Sequence, residues 1–284
     1  VAIGNEALDA LTTGSHNIAI GHATCSNFDT ESNNIGIGRD TLSAAIAGGE
    51  FNIAIGASAG DAITSADYNV FIGNDAGTEA TDGGGNVAIG YNAGSGIIGG
   101  DLNTMMGISA GAGVSTGSNC LILGKDAGRA GSPGGNITTA SNVISLGDEL
   151  VDSCNIQTDW TVASDKRDKT DVDTIKMGLD FVNKLEPVTY RWDKRSKYNK
   201  DLSITPTGEH KENWLDTGFL AQDVEVLEKE YGYKIEDNTN LTTNLSEDGK
   251  QYGLTYAKFV PILTKAIQEL SAEVKELKTK LEAK

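Results

Sequence analysis

The stretch VASDKRDK, Val162 to Lys169, places a serine and a lysine five residues apart in a charged loop. A serine hydroxyl becomes a useful nucleophile only beside a base, and a lysine amine can serve when burial lowers its pKa from about 10.4 toward 7 or 8. By itself such a pair carries no assignment, because a charged loop with this spacing is ordinarily a solvated turn. Position is what makes Ser164 and Lys169 candidates: they stand on the seam between two halves of unlike composition.

Residues 1–163 hold 17 acidic and 3 basic residues, a net of −14, and 29 of the 35 glycines. The remainder has 23 acidic and 20 basic residues and only 6 glycines. Nearly all of the −17 net charge therefore lies in the first half, which opposes nucleic acid and anionic membrane surfaces and favours solubility. No run of about 20 apolar residues marks a membrane span. The chain begins in mid-motif, at VAIG, without an initiator Met, so a longer N-terminal part is expected. Cys25, Cys120 and Cys154 fit neither a metal site nor an even disulfide framework and are expected to be single buried thiols.

The first half is a repeat. Its motif closes on a glycine at Gly4, Gly21, Gly38, Gly56, Gly73, Gly90, Gly107 and Gly124, at spacings of 17 residues with one of 18. A ninth copy, NVISLG, ends at Gly147 after a longer insert. Asn stands four residues before most of these glycines and slips by one at Asn119 and Asn142. Aliphatic triplets such as IAI, VFI and LIL suit short strands with at least one buried face. Gly permits the turn, and Asn bonds the local backbone or stacks on its counterpart in the next coil. Seventeen residues are too few for a helical hairpin and suit one coil of two short strands and two turns, stacked into a parallel β-roll or solenoid.

NIAIG, NVAIG and NVFIG resemble the head repeats of trimeric autotransporter adhesins. That resemblance, over residues 1–147, implies three rolls packed side by side into a rigid shaft that binds or spans. Among the repeats, His16 and His22 lie in or beside turns with no partner pattern, and Asp75, Asp101 and Asp126 lack the spacing of calcium-binding rolls. No metal is assigned.

The second half predicts a charged loop at 164–171, a helix over 172–185, a strand over 188–192 and a polar passage at 194–214. GFLAQDVEVLEKEY then reads as a strand end running into a helix. Leu263, Ile267, Leu270, Val274, Leu277 and Leu281 recur at spacings of 4 and 3, a heptad seam flanked by Lys and Glu. It serves either a coiled coil or a single amphipathic helix packed on its own domain.

SDKRDK at 164–169, LDFVNKLEPVTYRW at 179–192, GFLAQDVE at 218–225 and YAKFVPILTKAIQEL at 256–270 resemble the C-terminal intramolecular chaperone of phage tailspikes, tail fibres and endosialidases. The resemblance implies a trimer that assists assembly of the preceding fibre and then cuts itself off. Ser164 is implied as nucleophile, Lys169 as its base and the Ala163–Ser164 bond as the one broken. Asp168 stands where the family often carries an apolar residue, and it either assists Lys169 or holds it as an ammonium.

The expected molecule is a homotrimeric piece of a phage tail fibre or tailspike. An all-β roll with repeats of about 17 residues over 1–160 leads into an α+β chaperone domain over 161–284, which ends in a coiled-coil helix from about 260. Its partners would be two further copies and a host-surface receptor, a glycan among the candidates. No nucleic acid, membrane, metal or cofactor is assigned. Its place would be the virion, after assembly in the host cytoplasm. The alternative is a trimeric surface adhesin or structural fibre whose trimerisation module does not cleave. A glycan-cleaving enzyme lacks a paired-carboxylate pocket in these residues.

Overall fold

A computed structural model describes residues 1–44, 49–199 and 202–283. The chain forms two compact units: Val1–Val151 with Lys194–Pro206, and Asp152–Asp193 with Thr207–Lys284. Lys284, where the expected coiled coil ends, lies outside the described residues.

The first unit is a parallel β-solenoid. Its strands are β1 (Ala2–Ile3), β2 (Ile18–Ile20), β3 (Ile35–Ile37), β4 (Ile53–Ile55), β5 (Val70–Ile72), β6 (Val87–Ile89), β7 (Thr104–Met106), β8 (Leu121–Leu123) and β9 (Ile144–Leu146). They lie in chain order, each parallel to the next. Register follows the repeat, with Ile18 beside Ile35, Val70 beside Val87 and, across the insert, Leu121 beside Ile144. Among the described residues each coil carries one strand rather than the two expected. The opposite side is a run of turns whose backbone still bonds from coil to coil, as in Thr81 N to Ile98 O at 3.1 Å and Ile98 N to Ser115 O at 2.9 Å. Left-handed corners there break the extended geometry a second strand needs.

Two columns hold the stack. The closing glycines from Gly4 to Gly124 have φ between +112° and +143°, and a Cβ on Gly21 would stand 2.1 Å from the Gly38 carbonyl oxygen. Only glycine lets the coils approach so closely. Beside them runs a buried asparagine ladder in which each Oδ1 accepts the next ladder residue's backbone N–H. Asn34 N to Asn17, Asn69 N to Asn52 and Asn103 N to Asn86 each span 3.0 Å. The ladder ends where Cys120 N donates to Asn103 Oδ1, also at 3.0 Å. Cys120 and Val143 hold the next two ladder positions, which is why the motif slips. Asn119 and Asn142 occupy instead the preceding left-handed corner, at φ 56° and 62°.

The narrow core trades volume between strand and corner. Phe71 points inward from β5 into space left by Gly60 and Gly77, where a Cβ would come within 2.9 Å and 2.7 Å of its ring. Where β3 carries Gly36, the bulk comes from Leu42 and Cys25 instead. Burial pushes the Cys25 thiol up to about 12, and Cys120 is buried as well. Cys154 is exposed, against expectation.

The second unit has an antiparallel pair, β10 (Val188–Tyr190) with β11 (Asp216–Gly218), and a hairpin, β12 (Thr243–Leu245) with β13 (Tyr252–Leu254). Its helices are α1 (Leu179–Lys184), α2 (Ala221–Glu230) and α3 (Phe259–Glu282). Met177, Phe181, Val224, Phe259 and Ile262 form the core. The helix expected from 172 begins only at Leu179: Gly178 is non-helical at φ −139°, ψ −135°, and the preceding Asp and Thr residues favour turns. Glu228 of α2 is fully buried, and its carboxylate accepts from Thr242 N at 2.6 Å and from the Thr242 and Thr243 hydroxyls, fastening α2 to the hairpin.

Candidate functional site

From Asp152 to Thr174 every residue is exposed, and the only regular element is a 3-10 turn at Lys166–Asp168. Asp165 builds that turn. Its Oδ1 accepts the Arg167 backbone N–H at 2.9 Å, and the Arg167 side chain folds back onto the same carboxylate, Nη2 to Oδ2 at 2.6 Å. That paired guanidinium, joined by the backbone N–H, holds the Asp165 carboxyl below the usual carboxylate range.

Lys169 leaves the turn in extended conformation, its N–H bonded to Lys166 O at 3.3 Å. A three-residue turn with one extended residue on either side brings positions 164 and 169 face to face. Lys169 Nζ donates to Ser164 Oγ at 2.5 Å and also lies 3.4 Å from Ser164 O. The five-residue spacing is thus the span of one capped turn. Asp168 is exposed, its backbone N–H reaches Asp165 O at 3.3 Å, and its carboxylate makes no ion pair with Lys169. Ala163, on the other side of the Ala163–Ser164 bond, is exposed. Among the described residues no cluster of three His, Cys, Asp or Glu side chains suited to a metal ion occurs.

Residues 164–233 match the family described as the chaperone of endosialidase. The match begins on Ser164 itself and runs through α1, the β10–β11 pair and α2. The family is that of a self-cleaving chaperone peptidase, and the match falls largely in the second unit and supports a C-terminal intramolecular chaperone there. No curated protein and no solved structure matches the chain. A parallel β-solenoid leading into a chaperone of endosialidase fits a piece of a phage tail fibre, and among the described residues no helix is long and apolar enough to cross a membrane.

Within the second unit, α3 presents two faces. Phe259, Ile262 and Ala266 are buried against the core, and Glu269 Oε2 accepts the Leu179 backbone N–H at 2.6 Å. The heptad positions lie elsewhere on the helix and are uncovered, from 42% exposure at Val274 to 74% at Leu281. The seam is therefore not what packs α3 on its own domain. Glu269 escaped sequence reasoning because it looks like one more flanking charge of the heptad, and only the fold places it at the start of α1.

Proposed function

We propose that this chain is part of a homotrimeric phage tail fibre or tailspike that attaches to a host surface, and that its chaperone domain aligns three chains and then releases itself by cutting Ala163–Ser164. The observation that carries the proposal is the 2.5 Å contact between Lys169 Nζ and Ser164 Oγ at the first residue of the matched stretch.

In the proposed step, neutral Lys169 takes the proton from Ser164 Oγ, and the oxygen attacks the Ala163 carbonyl carbon. The Ala163–Ser164 C–N bond breaks, the leaving nitrogen takes the proton from Lys169, and Ala163 is left as an ester on Oγ. Water hydrolyses the ester, freeing the Ala163 carboxylate and the Ser164 hydroxyl. The substrate is already attached, so positioning contributes much of the rate, and each chain turns over once. Asp168 stands aside from the proton path, its carboxylate unpaired with Lys169.

Both side chains are solvated in the single chain. Burial of this segment between assembled chains would lower the lysine's proton affinity, so that the cut waits for assembly. Two uncovered apolar stripes support threefold association. One is the α3 seam. The other is the outer face of the solenoid sheet, where Ile18, Ile20, Ile53, Ile55, Val87 and Ile89 stand half-buried on a surface that a water-facing sheet would make polar.

The test is a denaturing gel. Wild type should resolve into fragments of 163 and 121 residues and Ser164→Ala should stay at 284. Two uncut bands of equal size would refute autoprocessing.

A further inference from the structure

One corner of each coil, the residue before the ladder position, is left-handed. Asn33, Gly85, Asn119 and Asn142 suit that backbone, but Phe51 and Tyr68, at φ 57° and 60°, do not. Bulky residues held in this region signal a role other than folding when burial does not explain them. It does not here: Phe51 is 44% and Tyr68 63% exposed. Their rings stack across adjacent coils, centroids 5.1 Å apart and planes within 7°.

The second face of Tyr68 turns toward the next coil, whose corner is Gly85 and carries no side chain. One coil further on, Leu102 leans over that gap, its Cδ2 2.8 Å from where a Gly85 Cβ would stand. Tyr68, Gly85 and Leu102 bound a shallow slot with an aromatic wall and an aliphatic wall, narrower than the roughly 9.5 Å between corner backbones two coils apart because Leu102 leans into it. One carboxylate flanks it: Asp101 Oδ1 accepts from Gly84 N at 2.8 Å and has a second oxygen that can accept from a hydroxyl, whereas Asp67 leans the other way, to Glu50 N at 2.7 Å.

We propose that Phe51, Tyr68 and Gly85 form a binding site for neutral glycans, with a sugar's C–H face on the Tyr68 ring and a hydroxyl donating to Asp101. Flat apolar surface combined with a few placed acceptors is the chemistry a pyranose ring satisfies. The net −14 of residues 1–163 repels sialylated or sulfated glycans and leaves neutral ones. This rests on the attachment reading and gives it a ligand class and a place.

The probe is an array of neutral, sialylated and sulfated oligosaccharides, read with the full-length protein, Tyr68→Asn and Gly85→Asn. Asn already serves this corner in other coils, so both variants keep the backbone; the first removes the platform and the second fills the slot. Wild type is expected to hold neutral glycans, and each variant to lose about tenfold or more in affinity, with a melting temperature no lower than wild type. Absence of neutral binding, preference for anionic glycans, or undiminished binding by Tyr68→Asn overturns the site. So does a changed sedimentation mass in Tyr68→Asn, which would make the corner an interface between copies. The same preparations run on a denaturing gel separate this from the processing reading. Cut protein that holds no neutral glycan sinks the site alone, and undiminished Tyr68→Asn binding leaves attachment standing at another place.

Discussion

Glu269, in the third turn of α3, accepts the backbone N–H of Leu179, the first residue of α1, so the helix that carries the heptad seam also caps the helix beside it. The bond from Leu179, aided by Lys265, lowers the Glu269 pKa. A carboxylate with a depressed folded-state pKa contributes stability above its ordinary value of about 4.3, and the contribution is lost as pH falls through the lowered value. Glu269→Gln should therefore lower the melting temperature of the second unit at neutral pH and make its acid-side loss less steep. Superimposable pH–stability curves for variant and wild type would contradict this.

The asparagine ladder predicts a penalty out of proportion to the atoms removed. Asn69 is fully buried, and its Oδ1 accepts Asn86 N at 2.9 Å. Asn69→Ala leaves that amide without its partner inside the roll, at a cost of about 1–3 kcal/mol. Chemical denaturation followed by far-ultraviolet circular dichroism measures it.

The spacing of the closing glycines exposed the solenoid because each coil must bring a bare backbone to the same place every seventeen residues. The corner columns were harder to see. Asn119 and Asn142 looked like slipped ladder residues, although they fill a different site whose only demand is a left-handed backbone. The hairpin of β12 and β13 also went unread, despite Asp248–Gly249, a turn pair suited to the positive φ of 69° at Gly249. Ser164 and Lys169 were legible as a pair only through the surrounding motif. The turn that joins them depends on Asp165 and Arg167, whose types permit many other contacts.

At the closing glycines, a methyl group should spread the coils. A Cβ at Gly73, with φ 137°, would stand 2.3 Å from Gly90 O, so Gly73→Ala should cost roughly 3 kcal/mol or more. Gly99 has nothing within 4 Å of its Cβ position, and Gly99→Ala should stay within about 0.5 kcal/mol of wild type. Equal melting curves for the two variants would remove the close-approach argument.

If Lys169 is the base, the cut depends on its amine taking the Ser164 proton and giving it up to the leaving nitrogen. Lys169→Met and Lys169→Arg should both abolish it, the second because a guanidinium keeps its proton. Asp168 makes no ion pair with Lys169, so Asp168→Asn should change the rate less than about threefold. Time courses on denaturing gels report all of these, and cutting by Lys169→Met at the wild-type rate would exclude a lysine base.

In the proposed assembly three chains cover the solenoid's outer aliphatic face and the α3 seam, and the proposed cut waits on that burial. Sedimentation equilibrium of uncut Ser164→Ala reads this directly. A single species of three times the 29.7 kDa chain mass is expected; a folded species of one chain mass at micromolar concentration would contradict threefold assembly.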